Sequence, residues 1–270
     1  MLYSGILKKM PTRLNATKVN YYLELENDLI HLNQLIHKKI RLELQGYQCL
    51  NCDSDDTIFA QGFCKKCFFE SPKAGEWIMK PELSKAHLGE EDRDLEFEKR
   101  MQLQPHIVYL SNTGTLKVGI TRKKQLPTRW IDQGAHQAMA ILETPNRYLA
   151  GVAEVALKKH ISDRTNWRTM LTTSENKEDL GEVFNSLQGY IPEEVKKCLI
   201  AELNNVPIDF PYATKIEKVL KSYSLKKDTN IEGVLIGIKG QYLIFKDSAV
   251  MNIRNHEGFR VGLNVKTLSI

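Results

Sequence analysis

Four cysteines form the clearest chemical pattern in this sequence. Cys49 and Cys52 make one C-x-x-C pair, and Cys64 and Cys67 make a second pair after eleven intervening residues. Two thiolates three positions apart can bind one tetrahedral ion, and the loop between the pairs can fold back so that the second pair completes the site. Four thiolates leave no open coordination position, so the pattern predicts a structural zinc site; reduced cysteines without a metal are the alternative.

Aromatic residues accompany these cysteines. Phe63, Phe68 and Phe69 either pack beneath the metal site or stack on nucleic-acid bases. The fifth cysteine, Cys198, falls on the apolar face of a helix predicted for residues 192–204, which indicates a small core residue.

A second group of chemically capable residues lies in the centre of the chain. Residues 101–136 contain one acidic residue, Asp132, and five cations: Lys117, Arg122, Lys123, Lys124 and Arg129. The net charge of +5 is therefore concentrated here, and such a cluster permits an anionic partner. Glu154 follows within an apolar stretch, where a carboxylate needs a cation, a metal ion or a hydrogen-bond donor.

Two strands and two helices are expected to position these residues. Residues 106–110 and 116–121 are short β-type runs joined by a turn, which predicts a hairpin with Tyr109 on its first strand and Lys117 on its second. The second half of residues 122–137 is expected to be helical. Residues 146–161 predict a longer helix, on which Glu154 shares a face with small and apolar residues.

The pattern of this central segment resembles the GIY-YIG nuclease superfamily. Val108-Tyr109 matches the end of the first motif, and Lys117-Val118-Gly119 matches the second, with lysine where many members have tyrosine. Arg129 matches the family's arginine and Glu154 its metal-binding glutamate. The chain as a whole is similar to an uncharacterised bacterial family of unknown function that combines a cysteine ribbon with the stretches 116–135 and 237–254.

The resemblance implies metal-dependent hydrolysis of a phosphodiester. Glu154 would hold Mg²⁺ or Mn²⁺, and Arg129 would bind the non-bridging phosphate oxygens. Tyr109 would pass the proton of the attacking water, assisted by the charge of Lys117. The cations of the following loop would track the nucleic-acid backbone, namely Arg122, Lys123, Lys124 and Arg129.

Each of these residues also has a structural interpretation. Tyr109 can be a half-buried strand tyrosine, and Lys123 with Lys124 can form a solvated loop. Glu154 can pair with Arg129 or with Arg147 in a buried ion pair without a metal.

The chain as a whole is expected to be an α+β protein. The ends resemble each other: Tyr22, Asn33 and Arg41 recur in similar order and spacing as Tyr242, Asn252 and Arg260, which predicts two β-meanders that pack together. The expected organisation is a β-meander at 1–47, a zinc ribbon at 48–70, a connector at 71–105, a GIY-YIG-like α/β core at 106–170, a helical segment at 171–230 and a β-meander at 231–270.

The composition and the motifs favour a nucleic-acid-binding protein. No run of apolar residues is long enough for a membrane span and no export signal is recognisable, so a cytoplasmic protein is expected. The leading interpretation is a divalent-metal-dependent endonuclease acting on DNA or RNA. The alternative is a non-catalytic zinc-ribbon module that binds nucleic acid or a protein. A third interpretation is an enzyme that acts on a small phosphorylated ligand.

Overall fold

The computed structural model describes residues 2–162, 164–172 and 178–266. They form two compact units. The terminal unit contains the described residues up to Phe69 and those from Asp209 onward, and the central unit is Glu70–Ile208. The mixed α+β class is confirmed. Within the described ranges, every helix is too short or too polar to span a bilayer.

Strands dominate the described chain. In order they are β1 Leu2–Ile6, β2 Thr12–Asn15, β3 Lys18–Leu25, β4 Asp28–His31, β5 Lys39–Tyr47, β6 His106–Asn112, β7 Leu116–Arg122, β8 Gln137–Thr144, β9 Asn205–Pro207, β10 Lys221–Tyr223, β11 Asn230–Lys239, β12 Tyr242–Phe245, β13 Ala249–Asn252 and β14 Phe259–Lys266.

The helices are short. They are α1 Lys65–Glu70, α2 Leu95–Gln102, α3 Thr128–Asp132, α4 Arg147–Leu157, α5 Trp167–Thr172, α6 Leu180–Leu187 and α7 Glu193–Lys196. Single 3₁₀ turns occur at Leu32–Leu35, Pro72–Ala74, Glu76–Ile78, Pro81–Leu83, Ala86–Leu88, Lys123–Gln125, Gln188–Tyr190 and Arg254–His256.

The terminal unit contains a seven-stranded sheet of order β1-β14-β5-β11-β12-β13-β10 and a three-stranded sheet of order β2-β3-β4. β1, the first strand of the N-terminal end, pairs with β14, the last strand of the C-terminal end, so that Gly5 lies opposite Val261. β11, the first strand of the C-terminal end, pairs with β5, the last strand of the N-terminal end, so that Gly233 lies opposite Ile40. Both chain ends therefore contribute to one sheet, with β5 and β14 adjacent.

The central unit is built on an antiparallel sheet of order β7-β6-β8-β9. The expected hairpin is confirmed as β6 and β7. The helix expected at 146–161 is present as α4, which begins after Asn146, whose side chain accepts a hydrogen bond from the Leu149 N–H at 2.9 Å. Ala150 and Leu157 of α4 belong to the same apolar cluster as Val108 of β6. This packing fixes α4 relative to the hairpin.

The expectation for residues 122–137 is correct only in part. The helical portion is α3, and β8 then begins at Gln137. No strand was expected between Ala138 and Thr144, yet β8 lies between β6 and β9 and pairs with both. β8 is a nearly continuous apolar run because it is buried between two other strands. A search for alternating polar and apolar residues therefore does not identify it as a strand.

The helix expected at 192–204 is wrong in extent, and a second helix, expected at 212–226 within the helical segment 171–230, is wrong in type. The first ends as α7 at Lys196, because the chain then runs along β8: Ile200 N–H donates to the Ile141 carbonyl at 3.1 Å. The second is absent from the described residues of that range, where β10 instead pairs parallel with β13. In both places pairing with a sheet outweighs local helix propensity.

Candidate functional site

The four paired cysteines converge in the terminal unit. Their Sγ atoms all lie within 4.8 Å of one another, and those of Cys52 and Cys64 are 3.9 Å apart. A tetrahedral zinc ion with Zn–S bonds of about 2.3 Å would hold its sulfurs about 3.8 Å apart. The cluster could therefore hold a metal ion such as zinc.

Hydrogen bonds to two of the sulfur atoms favour the thiolate forms that bind a cation. The Cys64 N–H donates to Cys49 Sγ at 3.3 Å, and the Asn51 side chain donates to Cys67 Sγ at 3.4 Å. Burial raises the pKa of Cys49, but backbone N–H groups, first that of Cys64, outweigh it and lower the pKa to about 6. The Asn51 amide lowers the pKa of Cys67, yet burial and the neighbouring thiols raise it to about 12. The Cys49 thiol therefore ionises more readily than the Cys67 thiol before a metal binds.

The second candidate site starts from a close approach within the β6–β7 hairpin. Tyr109 is fully buried and lies directly opposite Gly119. A Cβ atom added to Gly119 would lie 2.7 Å from the Tyr109 hydroxyl oxygen and 2.8 Å from the ring carbon that bears it. Glycine is therefore strongly favoured at position 119 because the tyrosine ring covers it.

Gln133 connects Tyr109 to Arg129. When the Gln133 carboxamide oxygen faces the guanidinium, Nε and Nη2 of Arg129 each donate to it at 3.1 Å, and its NH₂ group donates to the Tyr109 hydroxyl at 2.9 Å. Gln133 was not among the residues selected from the sequence. The signal that could have found it is its position four residues after Arg129 at the end of a short helix, where side chains share a face.

Arg129 and Glu154 both act on the Tyr109 hydroxyl. Burial raises the pKa of Tyr109; the positive charge of Arg129 and its hydrogen bond oppose this effect, and the negative charge of Glu154 adds to it. The net pKa is raised, so Tyr109 is a neutral phenol at neutral pH. The structure thus brings Arg129 and Glu154 within electrostatic range of Tyr109.

Arg147 anchors the connector to the first turn of α4. Its Nε donates to the Trp77 carbonyl at 3.1 Å and its Nη2 to the Ile78 carbonyl at 2.7 Å. Burial lowers the pKa of Arg147 to about 10, against the opposing charge of Glu154. One turn along α4, a Cβ on Gly151 would lie 2.9 Å from the Glu82 backbone nitrogen, so the connector packs directly on the helix face that carries Glu154.

A buried histidine lies at the start of β6. His106 Nδ1 is 2.7 Å from the Gln104 carbonyl, and its Nε2 is buried without a hydrogen-bond partner among the described residues. Burial lowers the pKa of His106 to about 4; the Gln104 carbonyl opposes this, and the charges of Arg147 and Arg122 add to it. His106 is therefore a neutral core residue at neutral pH.

The comparisons with known proteins give a family but no activity. Residues 37–261 match the model of a family described as "Protein of unknown function (DUF2797)". The chain belongs to this family. The matched range of the DUF2797 protein includes both candidate sites. No curated protein and no solved structure matches the chain.

The remaining cations of the DUF2797 protein have different surroundings. Lys117 is buried and donates to Thr165 Oγ1 at 3.1 Å. Arg122 donates to Gln125 Oε1 at 3.2 Å, and Lys123 forms an ion pair of 2.8 Å with Glu143.

Lys124 faces solvent. The groups nearest the Tyr109 hydroxyl are thus Gln133 and Arg129, whereas Lys117 bonds to the chain beyond α4.

Proposed function

We propose that the central unit hydrolyses phosphodiester bonds of nucleic acid with the help of a divalent cation. The observation that supports the proposal is that the charges of Arg129 and Glu154 both act on the buried hydroxyl of Tyr109, to which Gln133 also connects Arg129. These are the group types that phosphodiester hydrolysis needs for proton transfer, for binding of the phosphate and for holding a cation.

Glu154 is the residue that would hold Mg²⁺ or Mn²⁺. It is half-buried on α4, and its negative charge acts on both Tyr109 and Arg147. A single carboxylate suits Mg²⁺, which keeps several waters and takes other oxygen ligands from the substrate phosphate. When bound, such an ion stabilises the negative charge that develops on the phosphate.

Arg129 would bind the non-bridging oxygens of the phosphate. The Gln133 oxygen accepts from two of its nitrogens and fixes the plane of the guanidinium. A guanidinium carries five N–H groups, so donors remain for a bidentate contact with phosphate. Gln133 therefore presents Arg129 in a defined orientation and lowers the entropic cost of binding.

Tyr109 would accept the proton of the attacking water. It must first ionise, and the charge of Glu154 disfavours ionisation. A divalent cation held by Glu154 would oppose that effect and would lower the pKa of Tyr109. Activity should accordingly rise with pH while Tyr109 titrates.

The loop after β7 would follow the nucleic-acid backbone. Lys124 is exposed, and the Lys123–Glu143 pair is on the surface, where a phosphate can replace Glu143 at little cost. Arg122, held by Gln125, would support this loop. In the terminal unit, zinc bound by four thiolates would stabilise the fold without taking part in hydrolysis.

The test is cleavage of labelled DNA and RNA by the purified protein with Mg²⁺, with Mn²⁺ or without a divalent cation. Glu154→Ala should reduce cleavage at least about 100-fold, because the charge that holds the cation is lost. Glu182→Ala, at an exposed glutamate of α6 in the same unit, should keep wild-type activity. Cleavage unchanged in Glu154→Ala would show that the activity arises elsewhere.

A non-catalytic binding module is the second candidate function. It is favoured by the raised pKa of Tyr109, which keeps the phenol neutral without a cation, and by the hydrogen bond that directs the Lys117 ammonium group to Thr165. Salt-sensitive binding of DNA or RNA without cleavage in any metal would support this candidate over the nuclease.

A further inference from the structure

Three phenylalanines form an exposed aromatic patch beside the cysteine cluster. The ring centroids of Phe59 and Phe68 are 5.2 Å apart, those of Phe59 and Phe69 are 5.6 Å apart, and those of Phe68 and Phe69 are 5.3 Å apart. Phe59 is 47% exposed and Phe69 is 56% exposed. We call these three residues the Phe patch.

The cysteine ribbon holds this patch at the surface. The Phe59 N–H donates at 2.8 Å to the carbonyl of Phe63, the residue that precedes Cys64. Phe68 and Phe69 directly follow Cys67 on α1. Phe63 is buried, which confirms packing for this residue. Contiguous exposed aromatic rings are uncommon on a soluble protein and mark interaction sites.

Two lysines lie on the same short helix as the patch. Lys65 and Lys66 are both exposed. Lys65 precedes Phe68 by three positions and Phe69 by four, and Lys66 precedes Phe69 by three, so each lysine shares a face of α1 with an aromatic ring. Neither lysine forms an ion pair in the described part of the chain, whereas Lys123 and Lys39 do. Both ammonium groups are therefore available to an anionic ligand.

We propose that the Phe patch binds single-stranded nucleic acid by stacking unpaired bases on Phe59 and Phe69, with Lys65 and Lys66 on the phosphates. Aromatic stacking suits single strands because every base has an exposed π-face only when unpaired. The inference shares with the proposed function the premise that the ligand is nucleic acid, but it requires no cleavage.

The surrounding charges favour stacking over electrostatic attraction. Asp53 and Asp56 of the ribbon are exposed, although the first accepts a hydrogen bond from Gln48 and the second from Ser54. The ribbon is thus no strongly basic surface. Two phosphate contacts on a single strand predict a plot of log affinity against log salt with a slope of about −1.4.

The experiment measures fluorescence anisotropy of labelled oligothymidylate with the full chain, without added divalent cation. Phe59→Ala and Phe69→Ala should each weaken binding roughly 5- to 100-fold, and Phe69→Trp should restore it. Leu29→Ala, at another exposed apolar residue of the terminal unit, is the matched control and should bind like the wild type. Zinc content and circular dichroism verify that each variant is folded.

The possible outcomes separate this inference from the nuclease proposal. Wild-type affinity in both phenylalanine variants overturns the inference, even if Glu154-dependent cleavage is found. A change of oligomeric state in these variants without a change of affinity shows a protein interface and also overturns it. Loss of affinity in these variants supports the inference, even if the wild type cleaves nothing.

Discussion

The two candidate sites differ in how the chain assembles them. The cysteine cluster of the terminal unit comes from two short segments within nineteen residues, and the positions of its cysteines follow from local spacing. The site of the central unit takes Tyr109 from β6, Arg129 from α3 and Glu154 from α4. Such a site depends on strand register and helix packing, so a change remote from the chemistry can disrupt it.

The difference also concerns what stabilises each unit. In the terminal unit, four thiols lie close together. They stabilise the fold only when they bind a cation that neutralises the charge of their thiolate forms. In the central unit, polar groups such as His106 and Tyr109 are buried in the protein core and act through hydrogen bonds and charges. We therefore expect the first unit to depend on metal and the second on pH and packing.

Replacing one cysteine should have the largest effect. Cys64→Ser removes one ligand, so we expect loss of bound zinc and destabilisation of the terminal unit by at least about 3 kcal/mol. The measurement is metal content by atomic spectroscopy together with thermal unfolding followed by circular dichroism. Cys198→Ser, at a cysteine of the central unit outside the cluster, should retain the bound zinc. A Cys64→Ser protein with a full complement of zinc would contradict the assignment.

Acidification should destabilise the central unit through His106. In the unfolded chain His106 has its ordinary pKa of 6.5, whereas in the folded unit its pKa is about 4. The stability that depends on a neutral His106 is therefore present above pH 6.5 and is lost as the pH falls toward 4. The loss between about pH 7 and pH 5 amounts to about 2 kcal/mol.

Tryptophan fluorescence in urea measures this loss selectively, since Trp77, Trp130 and Trp167 all lie in the central unit. His106→Leu should remove that part of the pH dependence, and His160→Gln, at an exposed histidine of the same unit, should retain it. Equal pH dependence in all three proteins would contradict the burial of a neutral His106.

A smaller effect is expected from a methyl group in the β6–β7 hairpin. Gly119→Ala would place a Cβ against the Tyr109 ring and should cost about 1–3 kcal/mol of stability. Gly189→Ala in the same unit meets nothing within 4 Å and should be close to neutral. The measurement is urea unfolding by tryptophan fluorescence. Equal stability of the two variants would mean that Tyr109 does not cover Gly119.

Local patterns account for much of the fold and of the candidate sites. The turn between β6 and β7 was sufficient to predict that hairpin, and the small and apolar residues of α4 were sufficient to predict that helix. The cysteine cluster followed from spacing alone. These features depend on residues close together in sequence, which a pattern can indicate.

Features that depend on distant parts of the chain were not predictable in the same way. β8 is a strand because β6 and β9 lie on both sides of it, and β10 is a strand because it meets β13. Gln133 matters only because folding places it between Arg129 and Tyr109. Neither strand partners nor such a bridge can be inferred from local composition.

The central claim is that Tyr109 transfers a proton in a cation-dependent phosphodiester cleavage. Its most direct test is the single-turnover cleavage rate of labelled DNA or RNA against pH, for the wild type and for Tyr109→Phe, with Mg²⁺ and with Mn²⁺. We expect a cleavage rate that rises with pH in the wild type and is at least about 100-fold lower in Tyr109→Phe. A Tyr109→Phe protein that cleaves at the wild-type rate with the same pH profile would contradict the account.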